Sequence, residues 1–553
     1  MTICTSLTYE RSFATLLAKA NHGQRRPTDD SDVSMSEAGQ REAPLGAVHD
    51  ELERRLEVAR LGGAEKHRKK QVEAGKMLVR ERLELLFDEG WSFEDGLLAR
   101  FDEGLPGDAV VTCVGKVDGR DVCVIANDYT VKAGTWGKRT FEKIVRMQEI
   151  AEETGTPLVY LFDSAGARID EQFESYAGRR AWGNIFYNQV QVSGRIPQVC
   201  ALFGPSPAGS AYVPALCDYT VMVRGHATAY LGSPRLAEMV TGEQVTLEEM
   251  GGADMHCRTS GLGDALVEDD EEAIAAIRVW LSYLPENWQQ TPPSVASEPP
   301  APGRTVREIV PVRESEVFDM HDLIDAVVDD GTFFPYKELF APELVTGFAR
   351  LGGETVGIVG NQPKHMGGVL FPDSSDKAAR FIWICNAFNV PLLFLDDIAG
   401  YMIGSEVERQ GIIRHGAKML FAVAESRVPR IAVLVRKAYG GGYLAMSGAP
   451  MRPDAVIALA TAKPALMGPD AAVNGVHFNR IQAIEDPQER ARFIAEKQAE
   501  YAEGIDVFKI ANENAVEAVV PAEELRSELI ARFRMYRKRS TRPPERRNGV
   551  TPV

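Results

Sequence analysis

The feature that most constrains the fold of this chain is an internal duplication. Residues 156–169 (TPLVYLFDSAGARI) align with residues 390–403 (VPLLFLDDIAGYMI), so that Asp163 and Asp397 lie 234 positions apart. Repetition of an apolar run together with the turn that follows it indicates two copies of one folding unit. Two further residue pairs have the same separation: Asn127 with Asn361, and Lys143 with Lys377. The sequence therefore predicts a tandem α/β repeat of the βαβ type.

Each copy also contains a glycine turn between an apolar run and a segment that favours a helix. The turn is Ala-Gly-Ser at residues 208–210 and Gly-Gly-Gly at residues 440–442. Glycine lets the backbone turn without Cβ contacts and lets its N–H groups approach a ligand closely. Such a turn can form an oxyanion hole, which stabilises a carbonyl oxygen that gains negative charge. Alignment of the copies pairs residues 232 positions apart: Gly209 with Gly441, and Ser210 with Gly442.

A single glycine turn of this kind often serves only the packing of a helix against a strand. Its repetition at equivalent positions favours a functional interpretation, because two related holes can hold two carbonyl oxygens. The sequence therefore predicts a pair of oxyanion holes, one in each copy.

The composition is that of a globular protein with more than one domain. The 553 residues exceed what one hydrophobic core usually serves, and 44% hydrophobic with 25% charged residues are ordinary values. The formal net charge of −17 argues against a general nucleic-acid-binding surface. We find no apolar run long enough to span a membrane, and we expect a cytoplasmic protein in preference to a mitochondrial one. The seven cysteines are scattered without a C-x-x-C, so we expect free thiols and no metal site.

Changes in composition divide the chain into five parts. Residues 1–46 are polar and are expected to form a disordered extension, and residues 285–304 are a proline-rich linker. A first domain is expected over residues 47–284 and a second over residues 305–531, followed by a basic tail over residues 532–553. Within the first domain, sequence patterns predict a charged helix over 65–87, strands at 109–114 and 122–126, and a helix over 140–153.

Seven motifs carry a resemblance to a known family: AGKMLVRERLELLFDEG, FDSAGARIDE, AGSAYVPA, FAPELVTGFARLGG, VGNQP, GIIRHGAKML and RKAYGGGY. Over residues 74–532 the chain resembles the carboxyltransferase (β) subunit of biotin-dependent acyl-CoA carboxylases, such as propionyl-, acetyl- and methylcrotonyl-CoA carboxylases. The order and spacing of the motifs agree with the duplication. The resemblance implies a tandem pair of crotonase (ClpP-like) βαβ superhelical domains. It also implies a hexamer whose active sites lie between subunits.

The resemblance assigns a role to each glycine turn. The first hole, at Gly209 and Ser210 with Ala208 beside it, would hold the thioester oxygen of an acyl-CoA. The second hole, at Gly441 and Gly442 of a facing subunit, would hold the ureido oxygen of biotin. Ser210 departs from the glycine or alanine that is usual in the family, although its backbone N–H is still available.

Two residues after the second turn, Tyr443 and Leu444, are expected to contribute to substrate binding. In the family the position of Leu444 helps to shape the acyl pocket, and leucine differs from the acidic or cysteine residue expected of a propionyl-type enzyme. The motif GARIDE resembles the propionyl branch, whereas FYNQ and AYVPA resemble the methylcrotonyl branch. The sequence therefore does not identify the acyl group.

The resemblance implies transfer of CO₂ from N-carboxybiotin to the α-carbon, or a vinylogous carbon, of an acyl-CoA such as propionyl-CoA or acetyl-CoA. Both an enolate and a biotin ureido anion place charge on a carbonyl oxygen, which backbone N–H groups stabilise without acting as bases. We find neither a biotinyl-lysine motif nor an ATP-binding glycine loop. A separate biotin carboxylase and biotin carrier (α) subunit is therefore expected to carry the biotin and to use the ATP.

Other polar residues have a structural interpretation beside a functional one. His365 and His415 are candidate general bases, but a lone histidine is more often structural. We expect Asp163 and Asp397 to cap the turns that follow them rather than to catalyse. Three basic side chains could contact CoA phosphates or could lie on the surface without a function: Arg168, Lys364 and Lys437.

Two alternatives to an acyl-CoA carboxylase subunit remain open from the sequence. The same carboxyl transfer could run in the opposite direction, as in a biotin-dependent decarboxylase or transcarboxylase subunit. The chain could also be a non-catalytic CoA-binding scaffold, which the retention of glycine in both turns disfavours.

Overall fold

A computed structural model describes residues 46–176, 178, 181–503, 505–539, 546 and 549–552, and for Glu174 only the backbone. Apart from Gly46, the predicted disordered extension lies outside the described residues. The chain forms two compact units, residues 1–54 and residues 55–553, and the second unit contains both copies of the repeat. In the first unit the described residues begin helix α1, where Arg54 pairs with Glu51 at 2.7 Å between Nε and Oε2.

The first copy is built on a seven-stranded sheet with the order β1-β2-β3-β4-β5-β7-β9. The strands β1 to β3 are antiparallel neighbours, and the pairs from β3 to β9 are parallel. A separate parallel pair, β6 with β8, lies beside the first glycine turn. The strands are β1 Trp91–Asp95, β2 Val110–Val117, β3 Arg120–Asn127, β4 Leu158–Phe162, β5 Gln198–Leu202, β6 Pro205–Pro207, β7 Tyr219–Val223, β8 Thr228–Tyr230 and β9 Ala265–Val267.

The second copy repeats this arrangement in an eight-stranded sheet with the order β10-β11-β12-β13-β14-β15-β17, in which β16 also pairs with β14. Again the first three strands are antiparallel and the later pairs are parallel. The strands are β10 Phe334–Pro335, β11 Leu344–Leu351, β12 Glu354–Asn361, β13 Leu392–Ile398, β14 Arg430–Tyr439, β15 Ala455–Ala458, β16 Lys463–Ala465 and β17 Ala518–Val519.

Helices precede each sheet, connect its parallel strands as a crossover connection requires, and in the second copy also follow the last strand. Those of the first copy are α1 Gly46–Leu61, α2 Glu65–Glu73, α3 Val79–Leu86, α4 Lys138–Thr154, α5 Gln172–Ser175, α6 Gly183–Val192, α7 Tyr212–Leu216, α8 Pro234–Thr241, α9 Leu247–Gly251, α10 Ala253–Met255 and α11 Asp270–Ser282. Those of the second copy are α12 Val306–Ile309, α13 Met320–Asp325, α14 Pro372–Ala387, α15 Ser405–Gln410, α16 Ile412–Glu425, α17 Gly440–Ala445, α18 Pro469–Ala483, α19 Pro487–Glu503, α20 Val507–Asn512 and α21 Leu525–Tyr536.

Equivalent hydrogen bonds confirm the duplication at the level of single residues. The Asn127 amide donates to the Gly134 carbonyl, and 234 positions later the Asn361 amide donates to the Gly368 carbonyl. Each asparagine thus holds the loop that follows the third strand of its sheet. A lysine does the same for the segment before the second strand: Lys143 Nζ donates to Gly107 O, and Lys377 Nζ to Ala341 O.

Aromatic residues join the two copies within the second unit. Tyr219 stacks on Trp280 of the first copy at 5.6 Å between ring centroids and contacts Phe334 of the second copy at 5.7 Å. An ion pair between Lys337 and Asp264, 2.6 Å from Nζ to Oδ1, crosses the same boundary. The copies therefore share one core, in which large aromatic side chains contribute much of the buried apolar area.

Three sequence predictions can be compared with these bounds. The predicted strands at 109–114 and 122–126 and the helix over 140–153 are confirmed, as β2, β3 and α4. The single charged helix over 65–87 is wrong, because Gly75 adopts a left-handed φ of +75° and separates α2 from α3. The start of the predicted basic tail, residue 532, falls inside α21.

The predicted linker has neither helix nor strand over residues 285–304, yet its backbone is held in place. The Val295 amide donates to Gly353 O, and the Arg350 guanidinium donates to Pro293 O. Among the described residues, no helix is both long and apolar enough to cross a lipid bilayer.

Candidate active site

The two glycine turns have the same backbone conformation at their first residue. Ala208 has a φ of +53° and Gly440, 232 positions later, has a φ of +55°. The left-handed conformation costs a residue with a Cβ about 1–2 kcal/mol. Ala208 adopts this conformation although only glycine does so without strain. The surrounding structure therefore imposes the bend at this position. The repeat thus extends from the sheets to the candidate site.

Each turn places backbone N–H groups at the start of a helix. Ala208 begins a short 3₁₀ helix, Ala208–Ala211, that leads into α7, and Gly440 begins α17. The first N–H groups of a helix have no acceptor within the helix and carry its positive dipole end. Within the described residues, the amides of Gly209 and Gly441 donate to no backbone or side-chain acceptor. Both are therefore available to a carbonyl oxygen.

The predicted site residues beside these amides have different surroundings. The Ser210 hydroxyl donates to Pro207 O at 2.6 Å, so only the backbone of Ser210 is left for a ligand. Tyr443 lies one turn into α17, where its hydroxyl accepts from the Ala449 amide at 2.9 Å. Leu444 is partly exposed on the same helix.

The need for glycine differs among the three glycines of the predicted site. A Cβ on Gly209 would lie 2.5 Å from the Trp182 ring, and one on Gly442 would lie 2.5 Å from Ile398 Cγ1. A Cβ on Gly441 would make only an ordinary contact, 3.7 Å from Tyr401. Packing therefore explains Gly209 and Gly442, whereas the space in front of Gly441 is open. A side chain at position 442 would therefore point into the protein.

A cavity of about 230 Å³ adjoins the first turn. Trp182 forms one wall and contacts Tyr176 at 5.9 Å between ring centroids. The lining residues come from the segment before α4, from the loop after β4, from α5, from the start of α6 and from the turn: Trp136, Ala167, Arg168, Ile169, Gln172, Ser175, Tyr176, Trp182, Pro207, Ala208, Gly209 and Ser210. The first turn thus opens into a half-open space whose lining includes three aromatic residues and the exposed side chain of Ile169.

The equivalent aspartates Asp163 and Asp397 are fully buried and carry ion pairs. Asp397 accepts from Arg436 at 2.5 Å and from the backbone amide of Lys437 at 3.1 Å, three residues before the second turn. Asp163 pairs with Lys76 at 2.5 Å, and burial lowers the pKa of that lysine. Asp397 therefore holds the backbone before the second turn, whereas Asp163 contacts the side chains of Gln71, Lys76 and Arg82. Among the described residues neither carboxylate accepts a hydrogen bond from the turn that follows it, so the predicted capping role is wrong.

The candidate cations and bases do not gather at one site. The Arg168 side chain is 1% exposed and donates to Asp108 at 2.6 Å, so neither a surface position nor an accessible phosphate contact fits it. Lys364 pairs with Asp319 at 3.0 Å, and Lys437 Nζ lies 3.6 Å from Asp397. His365 is exposed.

His415 occupies both of its ring nitrogens. Nδ1 lies 2.8 Å from Asp376 Oδ1, and Nε2 lies 3.1 Å from a guanidinium nitrogen of Arg414. A general base needs a free ring nitrogen within reach of the proton that it removes. The structural interpretation of His415 is therefore the better one.

Sequence reasoning missed two residues near the turns. Trp182 covers Gly209 from 27 positions upstream, and no sequence periodicity connects the two. Asp396 lies on β13 with both carboxylate oxygens buried and without a hydrogen-bond partner in the described residues. Burial, and then the charge of Asp397, raises the pKa of Asp396 well above its ordinary range, which favours the neutral acid. The adjacent acidic pair in LLFLDDI was the available signal for Asp396.

Comparison with known proteins identifies the family. Residues 70–551 match the carboxyl transferase domain family. The chain is 54% identical to the uncharacterized carboxylase YngE of Bacillus subtilis (strain 168), over 90% of this chain and 98% of that protein. It is 39% identical to the carboxyltransferase subunit of propionyl-CoA carboxylase from Haloferax mediterranei, over 91% and 99% of the two chains.

Solved structures agree with this assignment. The crystal structure of the transcarboxylase 12S hexamer, with methylmalonyl-coenzyme A and methylmalonic acid bound, matches at a TM-score of 0.86 and 36% identity. The match covers 92% of this chain and 99% of that chain. The predicted fold, two crotonase-like domains in tandem, is confirmed. The chain belongs to the carboxyl transferase family, as a carboxyltransferase (β) subunit of the biotin-dependent acyl-CoA carboxylase type.

Proposed function

We propose that this chain transfers CO₂ from N-carboxybiotin, carried on a separate protein, to the α-carbon of an acyl-CoA. The observation that carries the proposal is the pair of equivalent turns, each with a left-handed first residue and a free amide at the second. Carboxyl transfer places negative charge on two carbonyl oxygens, and preorganised amides stabilise such charge best. A chain with only one such turn would stabilise only one of the two carbonyl oxygens.

In the first copy, the amide of Gly209 receives the thioester oxygen, with Ser210 and Ala208 beside it. As the α-proton leaves, charge moves onto that oxygen, and the amide stabilises the resulting enolate at the start of a helix. These roles are supported by the turn geometry and the cavity.

In the second copy, Gly441 and Gly442 provide the donors for the ureido oxygen of biotin, with Tyr443 and Leu444 on the same helix. The open space in front of Gly441 fits a planar group that must approach the backbone closely. Carboxybiotin, held by the amides of Gly441 and Gly442, would supply both the CO₂ and the base for the α-proton. The chain itself therefore needs no general base, consistent with the engaged nitrogens of His415.

The two holes would meet across a subunit contact in a hexamer. Exposed apolar side chains surround both turns, and such patches mark protein interfaces. Near the first turn, Ile169 is 81% and Phe173 is 91% exposed. Near the second, Ile403 and Leu466 are each 84% exposed. In this arrangement residues 47–284 form the acyl-CoA domain and residues 305–531 form the biotin domain, joined by the linker at 285–304.

The partner would be a biotin carboxylase and biotin carrier subunit that uses ATP, in the cytoplasm. The free, buried cysteines among the described residues suit a reducing compartment. The opposite direction of transfer also has support. The chain is 37% identical to the alpha subunit of methylmalonyl-CoA decarboxylase from Propionigenium modestum, over 91% of this chain.

Fixation of ¹⁴C-bicarbonate tests the proposal. The purified chain is mixed with a biotinylated biotin carboxylase partner, ATP and a panel of acyl-CoAs, and acid-stable label is counted. We expect label in an acyl-CoA only when both proteins are present. Fixation by this chain alone, or no fixation with any acyl-CoA and no reverse transfer, would contradict the proposal.

A further inference from the structure

The second turn is intrinsically harder to order than the first, because it contains three glycines in succession. Residues 440–442 are Gly-Gly-Gly, whereas residues 208–210 are Ala-Gly-Ser. Glycine loses more conformational freedom on folding than any other residue, so a triple-glycine turn costs more to order. An oxyanion hole stabilises charge only if its donors are already in place. The second turn therefore needs restraint from outside its own three residues.

A carboxylate from a distant part of the chain supplies such a restraint. Glu314 lies in the segment between α12 and α13, 125 positions before Tyr439, the residue that precedes the turn. Resting on the proposed function, we infer that Glu314 is a positioning residue for the second turn. It acts through two side chains, Tyr439 and Lys463, and needs no contact with biotin or acyl-CoA.

The contacts of Glu314 join two neighbouring strands. Tyr439 is the last residue of β14, and its hydroxyl donates to Glu314 Oε2 at 2.9 Å. Lys463 is the first residue of β16, and its Nζ donates to Glu314 Oε1 at 2.7 Å. Burial, and then the charge of Glu314, raises the pKa of Tyr439 above its ordinary range, so the hydroxyl stays protonated and remains a donor. One carboxylate thus holds both strands.

Both strands lead directly to the turn. β14 ends at Tyr439, and Gly440 follows with its positive φ. β16 ends at Ala465, which pairs with Tyr439, and a Cβ on Gly440 would lie 3.0 Å from the carbonyl oxygen of the next residue, Leu466. The Tyr439 ring also packs against Gly468, where a Cβ would lie 2.8 Å from the ring. A shift of Tyr439 or of β16 would therefore move the backbone that presents the free amide.

The segment that contains Glu314 is itself fixed against β14. Arg436, near the end of that strand, is 1% exposed and donates to the carbonyl oxygens of Arg313 and Glu316 at 3.0 and 2.6 Å. Its guanidinium carbon lies 4.9 Å from the centroid of the Phe318 ring. These contacts place the Glu314 carboxylate before any ligand binds, which is what a positioning role requires.

The first turn lacks the donor that Glu314 holds. The residue 232 positions before Tyr439 is Pro207, which carries no hydroxyl. Trp182 packs against Gly209 at that turn instead. The restraint by Glu314 therefore belongs to the second copy, and its loss should affect only the second hole.

Two substitutions remove the two ends of the hydrogen bond: Glu314→Ala and Tyr439→Phe. Each should lower kcat for carboxyl transfer about 10- to 100-fold, because misplacement by about 1 Å can cost this factor, and should leave acyl-CoA affinity within about twofold. Because the two side chains act as a unit, the double variant should lose no more than the larger single loss. Glu314→Gln keeps an acceptor for the hydroxyl and loses the charge that faces Lys463, so its loss should be smaller.

The matched control is Glu316→Gln, in the same segment. The Glu316 side chain is exposed and pairs with Arg313 at 3.7 Å, so this variant should transfer CO₂ at the unmodified rate. Transfer is measured per folded molecule, and affinity by calorimetric titration. If Glu314→Ala and Tyr439→Phe lower only the melting temperature, Glu314 is a structural residue and the inference fails. Independent, multiplying losses in the double variant would also overturn it.

Hydrogen–deuterium exchange gives an answer without turnover. Amides of residues 440–446 should exchange about tenfold faster in Glu314→Ala than in the unmodified chain, whereas those of residues 212–216 should not change. Unchanged exchange over residues 440–446 would overturn the inference whether or not the enzyme transfers CO₂. The expected increase in exchange, together with no transfer by the unmodified enzyme, would contradict the proposed function alone.

Discussion

The two glycine turns share one backbone but differ in what surrounds them. Ala208 and Gly440 have nearly the same positive φ, and each starts a helix whose first amides are free. The first turn is covered by Trp182 and adjoins a cavity, whereas the second leaves the space before Gly441 open. Duplication thus preserved the left-handed bend and the free amides and changed the side chains around them. A ligand would meet Trp182 at the first turn and open space at the second.

The largest effect is expected where the copies are most alike, at the buried aspartates. Asp397→Asn leaves Arg436 without its buried carboxylate, and Asp163→Asn does the same to Lys76. Removing one partner of a buried ion pair costs about 3–5 kcal/mol. Chemical denaturation should show a loss of this size in both variants. A loss of unfolding free energy in only one of the two variants would contradict equivalent structural roles for the two aspartates.

The next effect separates function from packing at the second turn. Gly441→Ala adds a Cβ that the protein itself tolerates but that occupies the space of an approaching carbonyl. Loss of an oxyanion-hole donor typically lowers kcat by about 10²–10³, and we expect carboxyl transfer to fall by this factor without a change in melting temperature. Transfer rate and thermal unfolding are measured on the same preparation. Full activity in a folded Gly441→Ala enzyme would show that this turn does not hold biotin.

The adjacent glycine provides a contrast. In Gly442→Ala the new Cβ would lie 2.5 Å from Ile398 Cγ1 and 2.9 Å from the backbone of Gly400. Overpacking of this kind costs typically about 1–3 kcal/mol. We expect a lower unfolding free energy, with activity per folded molecule reduced less than in Gly441→Ala. Equal stability of the two variants would contradict the different roles assigned to the two glycines.

The smallest effect concerns the left-handed residue of the first turn. Ala208→Gly should stabilise the protein by up to about 1 kcal/mol, because glycine adopts a positive φ without strain and only part of this gain is offset by unfolded-state entropy. Chemical denaturation measures the change, and carboxyl transfer should be unaltered. Destabilisation would show that the Ala208 methyl group makes contacts that outweigh its strain.

Sequence alone located both turns because the duplication is visible as a constant offset. Pairing Gly209 with Gly441 requires only alignment, and the free amides follow from the start of a helix. The side chains that surround each turn could not be predicted in this way. Trp182 contacts Gly209 because the start of α6 lies beside the first turn, and Gly442 meets Ile398 because β13 passes beneath α17.

Burial and helix ends show the same limit of sequence-based prediction. Arg168 stands in the polar segment DSAGARIDE, yet the fold buries it against Asp108. The helix expected over 65–87 fails at Gly75, whose left-handed φ outweighs the favourable residues on either side. Burial and chain reversal depend on distant parts of the chain, and local patterns do not contain them.

Acyl-CoA affinity measured in Gly209→Ala and Gly441→Ala tests the separation of the two holes most directly. Calorimetric titration of the assembled protein with the acyl-CoA that it carboxylates fastest gives a dissociation constant for each variant and for the unmodified chain. In Gly209→Ala the new Cβ displaces Trp182 and with it the backbone of the first turn, which should weaken binding by about tenfold, whereas Gly441→Ala should leave affinity within about twofold. Equal weakening in both variants, or none in Gly209→Ala, would contradict a division of labour between the two turns.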